Sequence, residues 1–105
     1  MTIESRGQAF EAEFQHDQEL LFRIQNRRNK LLGLWAAELM GLTGDAVDAY
    51  AKEVIMSDFE EGGDHDVFKK VRKDFDAKNV TVSDQDIRSA MVDFMEKAIA
   101  DIKAS

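Results

Sequence analysis

The chain has 105 residues, 44% of them apolar and 33% charged, which suits one hydrophobic core and is too polar for a membrane-spanning protein. Twenty-one acidic residues against fourteen basic ones leave a net charge of -7, so nucleic acid and acidic membranes are repelled as partners. The lack of cysteine removes disulfides, thiolate chemistry and cysteine zinc sites, and the lack of proline beside only six glycines predicts an all-α, single-domain fold.

Four helices are predicted, with glycines at their junctions. The first carries Ile3, Phe10, Phe14, Leu21, Ile24, Leu31 and Trp35, at steps of 7, 4, 7, 3, 7 and 4. That near-heptad spacing is expected of a helix with one face against other helices, over about residues 4 to 40. Trp35 is expected to be largely buried. Arg28 and Asp17 fall on the same stripe, where a charge must be paired or lie near the rim.

Gly41 is placed to end this helix as a left-handed cap. Thr43 then reads as an N-cap, with Leu42 and Val47 as the apolar staple around it. The second helix runs from about Gly44 to Glu61 with Val47, Tyr50, Ala51, Val54 and Ile55 inward, and Gly62 and Gly63 stop it. Asp64 can cap a third helix that turns Val67, Phe68, Val71 and Phe75 inward. Residues 79 to 82, Asn-Val-Thr-Val, are predicted as a short extended link. Ser83 with Asp86 fits a capping box, and Val82 with Ile87 fits its staple. Ile87, Met91, Phe94, Ala98 and Ile102 then mark the apolar face of a fourth helix.

Charge alternates along the chain. Residues 1 to 19 hold five acids and one base, and residues 20 to 40 hold Arg23, Arg27, Arg28 and Lys30 against Glu38. Residues 41 to 61 return to six acids against Lys52. Exposed pairs between such segments contribute about 0 to 1 kcal/mol each, so they set register more than stability. The start of the chain has charges at Glu4, Arg6, Glu11 and Glu13 and no apolar leader region. The longest uncharged apolar stretch, Leu31 to Ala37, is far below the roughly 20 residues of a membrane span.

Enzyme constellations are scarce. His16 and His65 are the only histidines and have no partner at metal-binding spacing, so both read as exposed helix residues. The acidic run from Asp58 to Asp66 lacks the alternating ligands and closing glutamate of a calcium loop. The serines lack an elbow motif, and Ser83 already has a capping role. No Gly-rich phosphate loop is present. Arg27, Arg28 and Lys30 form one basic cluster that could weakly hold a nucleotide phosphate, and Lys69, Lys70, Arg72 and Lys73 form another. The competing account is a solvated face balancing the acids. Phe10 and Phe14, four apart on an otherwise polar segment, either complete the core or present a stripe to a groove in another protein.

The runs Phe14 to Arg23 (FQHDQELLFR) and Arg27 to Ala37 (RRNKLLGLWAA), with Ala49-Tyr50-Ala51-Lys52 and Asp58 to Asp64 (DFEEGGD), resemble the zeta subunit of the alphaproteobacterial F-type ATP synthase. The resemblance implies a four-helix, non-enzymatic protein that inhibits ATP hydrolysis by the synthase. It further implies that residues 1 to 19 are an inhibitory segment and that residues 20 to 105 form the bundle. In that family the N-terminal helix inserts at an interface between α and β subunits near the γ shaft. The partner-binding residues it implies are Ile3, Arg6, Phe10, Phe14, Asp17 and Leu20.

The partners so expected are the α, β and γ subunits of the catalytic head. The implied location is cytoplasmic, peripheral to the inner membrane when bound, without membrane insertion, and with a free monomer. No cofactor, catalytic residue or metal is expected, although weak ATP or ADP binding is a family association, with Arg27, Arg28 and Lys30 as its candidate residues. The alternative reading is a small helical nucleotide-sensing protein, in which the phenylalanine pair belongs to the core.

Overall fold

The computed structural model describes residues 18–60 and 64–104, and these form four helices without a strand: α1 (Gln18–Leu39), α2 (Asp45–Glu60), α3 (Asp64–Ala77) and α4 (Asp84–Ala104). The expected extension of the first helix to residue 4, and the glycine stop at 62 and 63, lie outside the described residues. Within them the all-α single domain is as the composition predicts.

Both α1 and α3 end in the same way. Gly41 has φ +76°, and its N–H donates to the Glu38 carbonyl at 3.1 Å while the Leu42 N–H donates to Ala37 at 3.0 Å. This paired return is a Schellman cap, and it satisfies carbonyls that the last helical turn leaves open. After α3 the left-handed position is Asn79, with φ 58°, and the Val80 N–H returns to the Phe75 carbonyl at 2.9 Å. Asn79 is therefore a helix cap and not part of an extended link. Asparagine tolerates this backbone better than other residues with a Cβ.

The start of α2 differs by one residue from expectation. Gly44 has φ +60°, which removes it from the helix, and regular geometry begins at Asp45. Leu42 and Val47 both pack on the core beside this start. At α4 the predicted cap is present: the Asp86 N–H donates to the Ser83 hydroxyl at 3.0 Å.

The main core joins all four helices through Leu32, Ala36, Tyr50, Val54, Val67, Val71, Phe75 and Ile87. Complete burial of such side chains contributes about 1.5 to 3 kcal/mol each for the larger ones. A second cluster, Ile24 with Ala98 and Ile99, ties the first turns of α1 to the last turns of α4, and Leu20, Leu21, Met95 and Ile102 pack around it.

The buried line of α1 departs from the predicted stripe. Ile24, Arg28, Asn29, Leu32, Gly33, Ala36 and Ala37 are buried, whereas Leu31 and Trp35 are half-buried. Trp35 is thus less enclosed than expected, although its ring meets Phe75 and Phe94 edge-on at 5.7 and 6.3 Å. The physical reason lies in the crossing of α1 and α2. A Cβ built on Gly33 would lie 2.7 Å from the Ala51 Cα, so small residues occupy the centre and large ones flank it. On α2, Tyr50, Ala51 and Val54 are buried as predicted, with Val47 and Ile55 half-buried and Ser57 also enclosed. The α3 assignments Val67, Phe68, Val71 and Phe75 are all buried. On α4, Ile87, Met91 and Ala98 are buried, Phe94 and Ile102 are half-buried, and Ile99 joins them.

Candidate partner-binding surface and polar clusters

Among the predicted partner-binding residues, Ile3, Arg6, Phe10, Phe14 and Asp17 lie outside the described residues. Leu20 lies within them, half-buried against the second cluster near the end of α4. Its apolar side chain therefore helps anchor the first turn of α1 to the bundle.

The three residues proposed for a phosphate stand in three different environments. Arg27 reaches across to α4, where its Nε and one terminal guanidinium nitrogen each lie 3.2 Å from Asp101. Arg28 is 1% exposed, and its Nε donates to the Asn29 Oδ1 at 2.6 Å. Asn29, itself fully buried, passes the connection to α2 by donating from Nδ2 to Asp58 at 3.1 Å. Lys30 is exposed on the outer face. Of the two stripe charges, Asp17 lies outside the described residues, and Arg28 is hydrogen-bonded, which matters because a buried guanidinium left without partners would cost several kcal/mol. Asn29 ties α1 to α2, and the burial of Arg28 removes it from the exposed basic face.

In the second basic cluster, Lys70 and Arg72 are committed to internal contacts. Lys70 sits 2.9 Å from Glu53 on α2 and 2.8 Å from Asp74 one turn along α3. Burial by itself lowers the Lys70 pKa, but the hydrogen bonds to Asp74 and Glu53 outweigh it and the net direction is up. Arg72 holds Asp76 at 2.7 Å, Asp84 at 3.1 Å and the Val82 carbonyl at 2.6 Å, which fastens α3 to the loop before α4. Hydrogen bonds to Asp76 and then Asp84 raise the Arg72 pKa further. Lys69 and Lys73 are exposed.

Tyr50 closes this network. Its hydroxyl donates to Asp74 at 2.8 Å, and the Lys70 Nζ stands 5.2 Å from its ring centroid. Burial pushes the phenol well above its ordinary range, and the hydrogen bond and charge of Asp74 and the charge of Glu53 add in the same direction. The ring lines a shallow cleft of about 320 Å³ with Met40, Leu42, Ala49 and Lys78.

Among the described residues no group of three histidine, cysteine, aspartate or glutamate side chains is placed to hold a metal, and His65 is exposed. Among the described residues no buried side-chain nitrogen or oxygen lacks a partner.

The family profile of ATPase inhibitor subunit zeta matches residues 1–101. The chain belongs to that family. A search of curated proteins finds no match. A structure determined by solution NMR is similar at 42% sequence identity and a TM-score of 0.70, covering 79% of this chain and 94% of the other. Membership makes the zeta chain an inhibitory, non-catalytic subunit associated with an ATP synthase. Among its described residues, no helix is long and apolar enough to cross a membrane.

Sequence reading missed Asn29, the Tyr50–Asp74 link and the close crossing at Gly33. Asn29 had a usable signal, since it follows the stripe arginine directly. The other two depend on which helices meet, which spacing within one helix does not reveal.

Proposed function

We propose that this zeta chain blocks ATP hydrolysis by inserting residues 1–19 as a helix at an α/β interface of the synthase catalytic head, near the γ shaft. The observation that carries this reading is the family match, which begins at residue 1 and so includes the segment. Two features of the fold support it. The described part of α1 starts at Gln18, so the segment leads directly into a helix anchored by Leu20, Leu21 and Ile24. The described residues also form a core that joins all four helices, and in this reading Ile3, Phe10 and Phe14 are the apolar side chains the segment offers to a partner groove. A helix wedged beside the shaft stops rotation in the hydrolytic direction while leaving synthesis open.

In this reading the free protein is a cytoplasmic monomer that becomes peripheral to the inner membrane through its partner. The α, β and γ subunits form the receiving site. Removal of residues 1–16 is expected to abolish inhibition of ATP hydrolysis by the purified catalytic head and to leave the melting temperature nearly unchanged. Retained inhibition, or a melting temperature lowered by tens of degrees, would sink the inserted-helix mechanism. For nucleotide binding the scattered placement of Arg27, Arg28 and Lys30 gives no common pocket, and amide shifts on ATP titration test it directly.

A further inference from the structure

We propose that the first turns of α1 and the last turns of α4 form a two-helix arm that opens as one unit while the main core stays folded. Such an opening belongs to the free chain and needs no partner.

Two registers define the arm. Asn29 on Asp58 and Gly33 on Ala51 run antiparallel, so Glu60, the last residue of α2, lies opposite about residue 27 of α1. Arg88 over the Phe68 ring at 4.2 Å and Arg72 on Asp84 at 3.1 Å are also antiparallel, so Asp64, the first residue of α3, lies opposite about residue 92 of α4. The first turns of α1 therefore pass the end of α2, and the last turns of α4 pass the start of α3. The second cluster draws its described members from these two stretches alone, with Ile24 against Ala98 and Ile99 at its centre. Arg27 and Asp101, 3.2 Å apart with side chains 37% and 34% exposed, clamp the same pair from outside.

The two clusters are poorly joined along α1. Between Ile24 in one and Leu32 in the other, this helix buries only Arg28 and Asn29. Both are hydrogen-bonded, and Asn29 is tied to Asp58 of α2, so a polar layer stands where an apolar core would otherwise run on. On α4 the change falls between Phe94, which packs on the main core, and Met95, which packs on the second cluster. Segments with separate apolar contacts open separately, and the one with less buried apolar surface opens first. The second cluster encloses three residues and the main core eleven, so the arm is the unit that opens more readily.

Native-state amide exchange of the full chain in low urea tests this. Amides of residues 23–27 and 96–102 are expected to exchange about 100-fold faster, or more, than those of residues 32–37 and 88–91, with a shallow urea dependence because little surface is exposed. Separate fraying of two helix ends gives a different pattern, a gradient along each helix with no link between them. Ile99→Ala, on α4, is therefore the deciding variant, expected to speed the amides of residues 23–27 on α1 by about 30-fold. Should that variant fail to fold, the milder Ile99→Val gives the same pattern at about fivefold. Val71→Ala loosens the main core and is expected to speed the amides of residues 32–37 by about tenfold while leaving the arm unchanged. Arm amides that share the rates and urea slope of the core, or that respond to Val71→Ala as the core does, overturn the proposal by making the chain one cooperative unit. Amides of residues 23–27 left untouched by the Ile99 variants overturn it by reducing the arm to two fraying ends.

Discussion

Gly33→Ala tests the packing geometry most sharply, because it adds one methyl group at the closest approach of two helices. In an open helix this change stabilises by about 1 kcal/mol, since alanine is the better helix former. Here the new Cβ would lie 2.7 Å from the Ala51 Cα, 3.3 Å from its Cβ and 3.4 Å from a Val54 methyl. Ordinary carbon contacts need about 3.5 to 4 Å, so α1 and α2 must move apart by roughly 1 Å at the crossing. Such overpacking typically costs about 1 to 3 kcal/mol, and a backbone obstacle puts it at the upper end. The net loss is then about 2 kcal/mol, a fall of roughly 8 to 16 °C in melting temperature for a domain of this size. Thermal and urea unfolding followed by helical ellipticity would measure it. Adding Ala51→Gly should restore little, because the nearest atom is a Cα that remains. A Gly33→Ala variant as stable as wild type, or full rescue by Ala51→Gly, would refute the close-crossing account.

Phe75→Ala, at a position with no exposure, should cost about 3 to 5 kcal/mol, and Trp35→Ala less because that ring is only half-buried. Urea denaturation of both decides the order. Tyr50 is the only tyrosine, so its near-ultraviolet phenolate signal should stay absent well above pH 10 in the folded protein and appear on unfolding. Above that pH the unfolded chain releases a proton that the folded one keeps, so stability falls as pH rises. Lys70, also raised, adds stability below its unfolded pKa that is lost as pH climbs through the folded value. Alkaline melts of wild type and Tyr50→Phe should therefore differ in slope, and identical slopes would argue against the Asp74 link. Gly7→Ala should strengthen inhibition by up to about 1 kcal/mol, close to fivefold in half-inhibiting concentration, if residue 7 is helical on the partner. Unchanged inhibition would mean that it is not.

The features legible in the sequence were those carried by local chemistry. Ser83 caps α4, Gly41 takes the left-handed turn, and Val67, Phe68, Val71 and Phe75 all face inward, because each depends on a few neighbouring residues. The parts misread depend on a partner element. The near-heptad spacing of apolar residues places Leu31 and Trp35 on the inner line of α1, yet the crossing with α2 needs glycine and alanine there and moves the large residues to the flank. Asn79, expected within the extended link, instead closes α3, a role set by the backbone returning to Phe75.

The basic run of α1 shows the same limit in the candidate site. Arg27, Arg28 and Lys30 look like one cluster in the sequence, but successive residues on a helix point about 100° apart. Arg27 therefore meets α4, Arg28 enters the interior and Lys30 faces outward. The same rotation separates the two tasks of this helix. Its inner line holds α2 and α4 through small residues and a polar link from Asn29 to Asp58, while Arg23 and Lys30, one heptad apart, are exposed. In the proposed mechanism, a bundle fixed in this way would hold the N-terminal segment at the partner. Truncation of residues 1–16 tests that mechanism, because binding energy spent on refolding the bundle's own core would weaken the hold on the partner.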